Sequence, residues 1–264
     1  MLSPALALAG LTFPDEAARP AGTRALIEWA AARPPAARPR AVQLDATSPD
    51  TRPRDLDRSA RRDLAAVLRR HGLGFAGLDL WIPPGHFVEP AHADRALAAA
   101  LAAISLAGDL ATLAGDPRGR VVCVELPANG SVEGEPMKAT LAAVRAAIAD
   151  AAARADVAVA DFSRGFDPPV GPLTAGIDPA GLLLAGLDPA MHAARLTITP
   201  AAARLADADA SVRRPLGLGR LDPAAYLACL HARGFTGYPV IDLRALPDAS
   251  DAFDRAAGAL GLSR

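Results

Sequence analysis

Seven apolar runs in this chain end in a carboxylate: Asp45, Asp79, Glu125, Asp161, Asp178, Asp207 and Asp242. Carboxylates gathered in one place do two kinds of chemistry. They move protons when burial or a neighbouring like charge lifts their pKa toward neutrality. They also hold a hard divalent cation such as Mg²⁺ or Mn²⁺, which prefers oxygen ligands. A ring of them cannot stay fully ionised unaided. Some must be protonated, paired with arginine or bound to a cation.

The seven positions are not equivalent. Asp178 is followed by Pro179, as Asp222 is by Pro223, and an Asp-Pro step starts a helix, so capping alone accounts for both. Asp45 and Asp79 read as structural. Glu125 lies in VVCVELP with no helix start for about ten residues, so capping does not explain it and a site role is expected. Asp242, in PVIDLRALPD, reads either as a site residue or as the ion-pair partner of Arg244. In WIPPGHF, Trp81 offers an apolar face to a sugar ring or packs beneath its loop, and His86 is in reach of the same place. His71, His92, His192 and His231 read as surface or packing residues. No two histidines show metal-ligand spacing, which leaves zinc unsupported. Ser131 and Ser163 have no visible base, and there is no nucleophile elbow, Walker loop or dinucleotide fingerprint.

These residues need elements to hold them. Strands are expected at Pro4–Ala9, Ala41–Asp45, Gly74–Trp81, Val121–Leu126, Val157–Asp161, Leu173–Asp178, Ala202–Asp207 and Val240–Leu243. Helices are expected between them, at Thr23–Ala32, Asp55–Arg70, Ala93–Leu110, Met137–Ala155, Pro179–Ala185 and Pro223–Ala232, with Ser250–Ala259 closing the chain. Asp188-Pro189 repeats the start signal, and Gly165–Pro172 is too rich in Pro and Gly to be regular. Strand–helix alternation over 264 residues predicts one domain, 1–264, folded as an α/β closed (β/α)8 TIM barrel. Alternation along each strand places Asp45 with Gln43, Asp79 with Gly77 and Trp81, Glu125 with Cys123, and Asp242 with Val240 and Arg244. Val122, Val124, Ile177, Ile241 and Leu243 face the helices. The acids therefore point into the barrel, at the rim where barrel enzymes place their sites.

Composition narrows the function classes. Lys+Arg 28 against Asp+Glu 29 gives a net charge of −1, without the concentrated positive field that nucleic-acid binding needs. Two cysteines exclude a disulfide scaffold. No uninterrupted apolar run approaches the roughly 18 residues of a membrane span. Met1–Gly10 fits a first strand better than a secretory peptide, so a cytoplasmic protein is expected. Oligomeric state is not legible.

The order VVCVELP, AGIDPAG, ARLADADASVRRPLGLGRLD and GFTGYPVIDLRAL resembles the xylose isomerase-like TIM barrels, described as sugar phosphate isomerases/epimerases. The resemblance implies a divalent metal, Mn or Mg, on a Glu, an Asp, a His and a second Glu from successive strands. Glu125, Asp178 and Asp242 match three of these, Asp242 one methylene shorter. Arg204 stands at the His position, Gly181 where a further His often stands, and Arg213 at a substrate-binding Arg. Asp207 and Asp222 follow the family pattern around the Pro215–Gly219 turn. The implied activity is proton transfer beside a carbonyl of a carbohydrate-like substrate. Glu125 would take the proton and Asp242 return it, with Arg213, His86, Trp81 and Arg204 around the substrate. Arg204 puts a fixed positive charge beside the cation position. It either pairs with Asp178 or Asp242 in place of the metal, or points outward. The alternative is a degenerate barrel acting as a small-molecule binder or interaction protein. A nuclease is disfavoured for lack of clustered histidines and a basic face.

Overall fold

The computed structural model describes residues 3–15, 17, 19–163 and 173–262. Eight parallel strands close into a barrel: β1 (Ala5–Ala7), β2 (Ala41–Asp45), β3 (Gly74–Asp79), β4 (Val121–Val124), β5 (Ala158–Asp161), β6 (Thr174–Ile177), β7 (Ala202–Leu205) and β10 (Pro239–Ile241). β1 pairs with both β2 and β10, which completes the ring. Around it stand α1 (Gly22–Ala31), α2 (Arg58–Arg70), α3 (Ala93–Ala114), α4 (Glu135–Ala155), α5 (Pro179–Leu184), α6 (Pro189–Arg195), α7 (Pro223–Ala232) and α8 (Ala249–Ala259). The expected single-domain (β/α)8 barrel is the observed fold. The irregular segment expected at Gly165–Pro172 lies outside the described residues.

The Asp-Pro signals work as capping predicts. Asp178 accepts from the Ala180 N–H, Asp188 from Ala190 and Met191, and Asp222 from Ala225, each opening its helix. One expected strand is divided. β7 stops at Leu205, and Asp207 opens a short antiparallel hairpin, β8 (Asp207–Ala208) with β9 (Arg213–Arg214). That hairpin carries Arg213 over the rim.

The main core lies between strands and helices, where Leu6, Val42, Leu44, Val122, Val159, Ile177, Leu205 and Ile241 are buried. α3 is long and apolar enough to cross a membrane, with mean hydropathy 1.8. Asp94, Arg95 and Asp109 interrupt it, and it packs against α2, α4 and β3. Two smaller clusters are rich in small side chains: Ala5, Ala7, Ala41 and Ala76 with Tyr238 and Val240, and Cys123, Ala160 and Ala202 with Val121.

β3 breaks strict alternation. Phe75 and Asp79 have the same parity, yet Phe75 joins the outer core while Ala76 packs with the interior alanines. Gly77 resolves this. It has φ +93, and the β2–β3 register shifts between Val42 and Leu44. A Cβ at Gly77 would lie 2.4 Å from the Val121 carbonyl oxygen. The irregularity at Gly77 turns the strand by one residue and delivers Asp79 to the interior.

Candidate functional site

Three aspartates and three arginines meet at the C-terminal rim. Asp79 comes from β3, Asp178 follows β6 and Asp242 follows β10. Arg204 comes from β7, Arg213 from the β8–β9 hairpin, and Arg244 lies two residues beyond Asp242. Arg204 stands at the centre: its guanidinium is 3.3 Å from Asp79, 3.4 Å from Asp242 and 3.6 Å from Asp178. Arg213 bridges Asp178 at 3.2 Å and Asp242 at 3.1 Å. Arg244 bridges Asp242 at 2.8 Å and Asp79 at 2.9 Å. Three positive and three negative charges balance in a space nearly closed to water.

Neighbouring residues hold this network in place. The Arg204 guanidinium stacks on Phe162, 4.0 Å from the ring centroid. Phe162 fits because position 176 is glycine: a Cβ there would come within 2.5 Å of the ring. Arg213 depends on Asp207, whose buried carboxylate accepts from the N–H groups of Ala208, Gly217, Gly219 and Leu221 at 2.8 to 3.0 Å. Asp207 thereby ties down the Pro215–Leu221 loop beneath the hairpin. Asp178 divides its oxygens: Oδ1 caps α5, and Oδ2 takes Arg213.

Electrostatics separates the acids. Burial raises the Asp242 pKa, but Arg204, Arg244 and Arg213 outweigh it and hold the carboxyl well below the ordinary aspartate range. Asp79 goes the other way: burial raises it, with Arg204 and Arg244 pulling against. Glu125, just past β4, has no hydrogen bond or ion pair among the described residues. It keeps access to solvent, yet surrounding protein strips part of its hydration. That burial raises its pKa, Arg204 opposes, and Asp161 and Asp178 add to the rise. Cys123, on the same strand face, is buried, and its thiol is pushed up to about 12, so it is no nucleophile at neutral pH.

Glu125 lines a cavity of about 340 Å³ with Pro84, Gly85, Ser131, Glu133 and Ser163. Trp81 lies on the loop that follows β3. Asp79 pairs with Cys123 in the β3–β4 register, and Trp81 and Glu125 each lie two residues further on. Trp81 is 61% exposed, so it is not packed beneath its loop and presents an open aromatic face.

The divalent cation implied by the resemblance does not fit this arrangement. Both Asp178 oxygens are occupied by a backbone N–H and by Arg213. Asp242 accepts from Arg213, Arg244 and the Arg244 N–H. A dication placed among Glu125, Asp178 and Asp242 would face three guanidinium groups that already neutralise the aspartates. Of the two readings of Arg204, inward pairing is the observed one.

Asp45 is structural, as expected, its Oδ1 accepting from the Thr47 N–H and hydroxyl. Arg244 pairs with Asp242, one of the two readings weighed for Asp242, and it also reaches Asp79. The parity of Arg244 with Asp242 was the available signal. His86 stands against His92 and Glu89 on the β3–α3 loop. The expectation that no two histidines have metal-ligand spacing is corrected there: His86, Glu89 and His92 bring their donor atoms within 4.8 Å of one another.

No family model and no curated protein matches the chain. Solved structures do. A xylose isomerase domain protein from Planctomyces limnophilus superimposes with TM-score 0.69 at 17% identity, covering 99% of this chain and 95% of that one. A 3-keto-D-glucoside 4-epimerase from E. coli gives 0.69 at 12% identity, covering 96% and 99%. A D-allulose 3-epimerase from Methylomonas sp., solved in complex with D-allulose, gives 0.62 at 17% identity, covering 98% and 95%. At such identities the likeness is one of fold. The chain is a closed (β/α)8 barrel with the fold of the xylose isomerase-like proteins and of sugar epimerases.

Proposed function

We propose that this barrel is a sugar isomerase/epimerase-like enzyme that moves a proton beside the carbonyl of a small hydroxy-carbonyl compound without a metal in the barrel mouth. One observation carries the reading. Of Glu125, Asp178 and Asp242, Glu125 alone has no arginine within ion-pair distance among the described residues, and burial raises its pKa. A carboxylate raised in this way is a general base suited to a carbon acid.

Glu125 takes the proton from the carbon next to the carbonyl. Electrons of the broken C–H bond form the enediolate, and negative charge develops on the carbonyl oxygen. Arg204 and Arg213 supply fixed positive charge where a metal would otherwise act. A proton passes from the neighbouring hydroxyl to the former carbonyl oxygen, so that the hydroxyl carbon becomes the new carbonyl, while protonated Glu125 returns its proton to the former carbonyl carbon on the same face, which gives the isomer. Trp81 offers its open face to the substrate's C–H surface. Inversion at a single carbon would need a second proton carrier on the opposite face. Asp242, held ionised by three arginines, does not supply it. The favoured reaction is therefore aldose–ketose isomerisation.

The test is a panel of four- to six-carbon aldoses and ketoses in D₂O, followed by NMR. Interconversion of an aldose with its ketose, absent in Glu125→Gln, is expected. Epimers formed without the isomer would sink the single-base mechanism. No reaction with any compound would leave the second reading, a binding protein without turnover, which the locked state of Asp242 favours.

A further inference from the structure

We infer that His86, Glu89 and His92 form a site for a borderline divalent cation such as Zn²⁺ on the β3–α3 loop, separate from the carboxylate–guanidinium network in the barrel mouth. The spacing is three residues twice over. The backbone here runs in tight turns: Pro84–Phe87 is a 3-10 helix, the Val88 N–H bonds to the Gly85 carbonyl at 3.0 Å, and the His92 N–H bonds to the Glu89 carbonyl at 2.9 Å. The turns that follow the 3-10 helix bring the side chains of residues 86, 89 and 92 together. The imidazole rings lie 4.3 Å apart between centroids, and His92 Nε2 is 3.8 Å from Glu89 Oε2.

Two imidazoles and a carboxylate suit zinc-like ions rather than Mg²⁺ or Ca²⁺. Metal–ligand distances of about 2.0–2.2 Å put donor atoms about 3–3.5 Å apart, so the cluster needs to tighten by roughly 1 Å. Glu89 is exposed and free to turn. One group opposes binding. Arg95 Nη2 lies 2.8 Å from His92 Nδ1, placing a positive charge at the cluster's edge. Arg95 is itself exposed and can swing into solvent. Pro84 and Gly85, in the same turn as His86, line the cavity that holds Glu125. A cation on this loop would stiffen that wall.

Calorimetric titration of ZnCl₂ into the full chain, previously dialysed against chelator, tests the site at neutral pH, where the imidazoles can ligate. One equivalent is expected to bind. His86→Ala and His92→Ala should each weaken binding tenfold or more, Arg95→Ala should tighten it severalfold, and Asp178→Asn should leave it unchanged. Circular dichroism confirms that each variant is folded. Co²⁺ gives a second readout, its visible absorption bands lost in His92→Ala. No binding of Zn²⁺, binding indifferent to both histidines, or binding lost in Asp178→Asn would each overturn the site.

Discussion

Glu125 and Asp242 carry the same functional group at the ends of strands in one barrel, and their surroundings give them opposite characters. Partial burial, with no cation paired to it among the described residues, raises the Glu125 pKa, as the proposed base requires. Three guanidinium groups make Asp242 a permanent anion. Glu125→Gln is expected to lower kcat/KM by about 10²–10⁴-fold. With Glu125 as the proposed base its ionised form is the active one, so in the wild type kcat/KM should rise with pH through a value above glutamate's ordinary 4.5. A profile with its acid limb at or below that value would argue against Glu125 as the base. Arg204→Met keeps the volume but leaves Asp79, Asp178 and Asp242 with two arginines between them. Removing one member of a buried ionic cluster costs about 3–5 kcal/mol, measurable by urea denaturation. Glu125 was legible in the sequence because no helix follows it to be capped. The network was legible only in part. Arg204 and Asp178 fell on matching positions of the resemblance, but pairing of Arg244 with Asp79 depends on strands distant in the chain. The histidine cluster was missed because the turns at residues 88–92 bring it together, and composition does not announce them.

At the level of elements, two devices aim the side chains. The irregularity at Gly77 turns β3 so that Asp79 faces inward. Gly77→Ala would force a Cβ against the Val121 carbonyl in a backbone conformation that L residues rarely adopt. The expected result is a destabilisation of roughly 2–4 kcal/mol with weakened β3–β4 protection in hydrogen exchange. The Asp207 cradle is the second device, holding the loop beneath Arg213 through four backbone N–H groups. Asp207→Ala leaves those donors without their carboxylate. It should raise KM and increase protease sensitivity at Pro215–Leu221 while α1–α4 keep their protection. Strand positions came through well in the sequence because each run is apolar and short. The β8–β9 hairpin did not, since its residues read as a continuation of β7.

For the molecule as a whole, the closed barrel concentrates charge at one rim over an interior of small residues, and stability inherits the titration of that rim. Asp242 has a folded-state pKa below its unfolded value. Its contribution is therefore fully present above the ordinary aspartate value of 3.8 and is lost as pH falls through the lower folded value. The melting temperature should drop steeply below about pH 4, and Asp242→Asn should be less stable near neutrality with a flatter acid limb. Overall architecture was readable from strand–helix alternation and length, because eight such units have few ways to bury both faces of a parallel sheet. The direct test of the mouth's chemistry is exchange of a substrate's α-proton with D₂O, catalysed by protein stripped of metal with a strong chelator. Undiminished exchange in the stripped protein, abolished by Glu125→Gln, is predicted. Exchange that vanishes on stripping and returns with added Mn²⁺ or Mg²⁺ would contradict it.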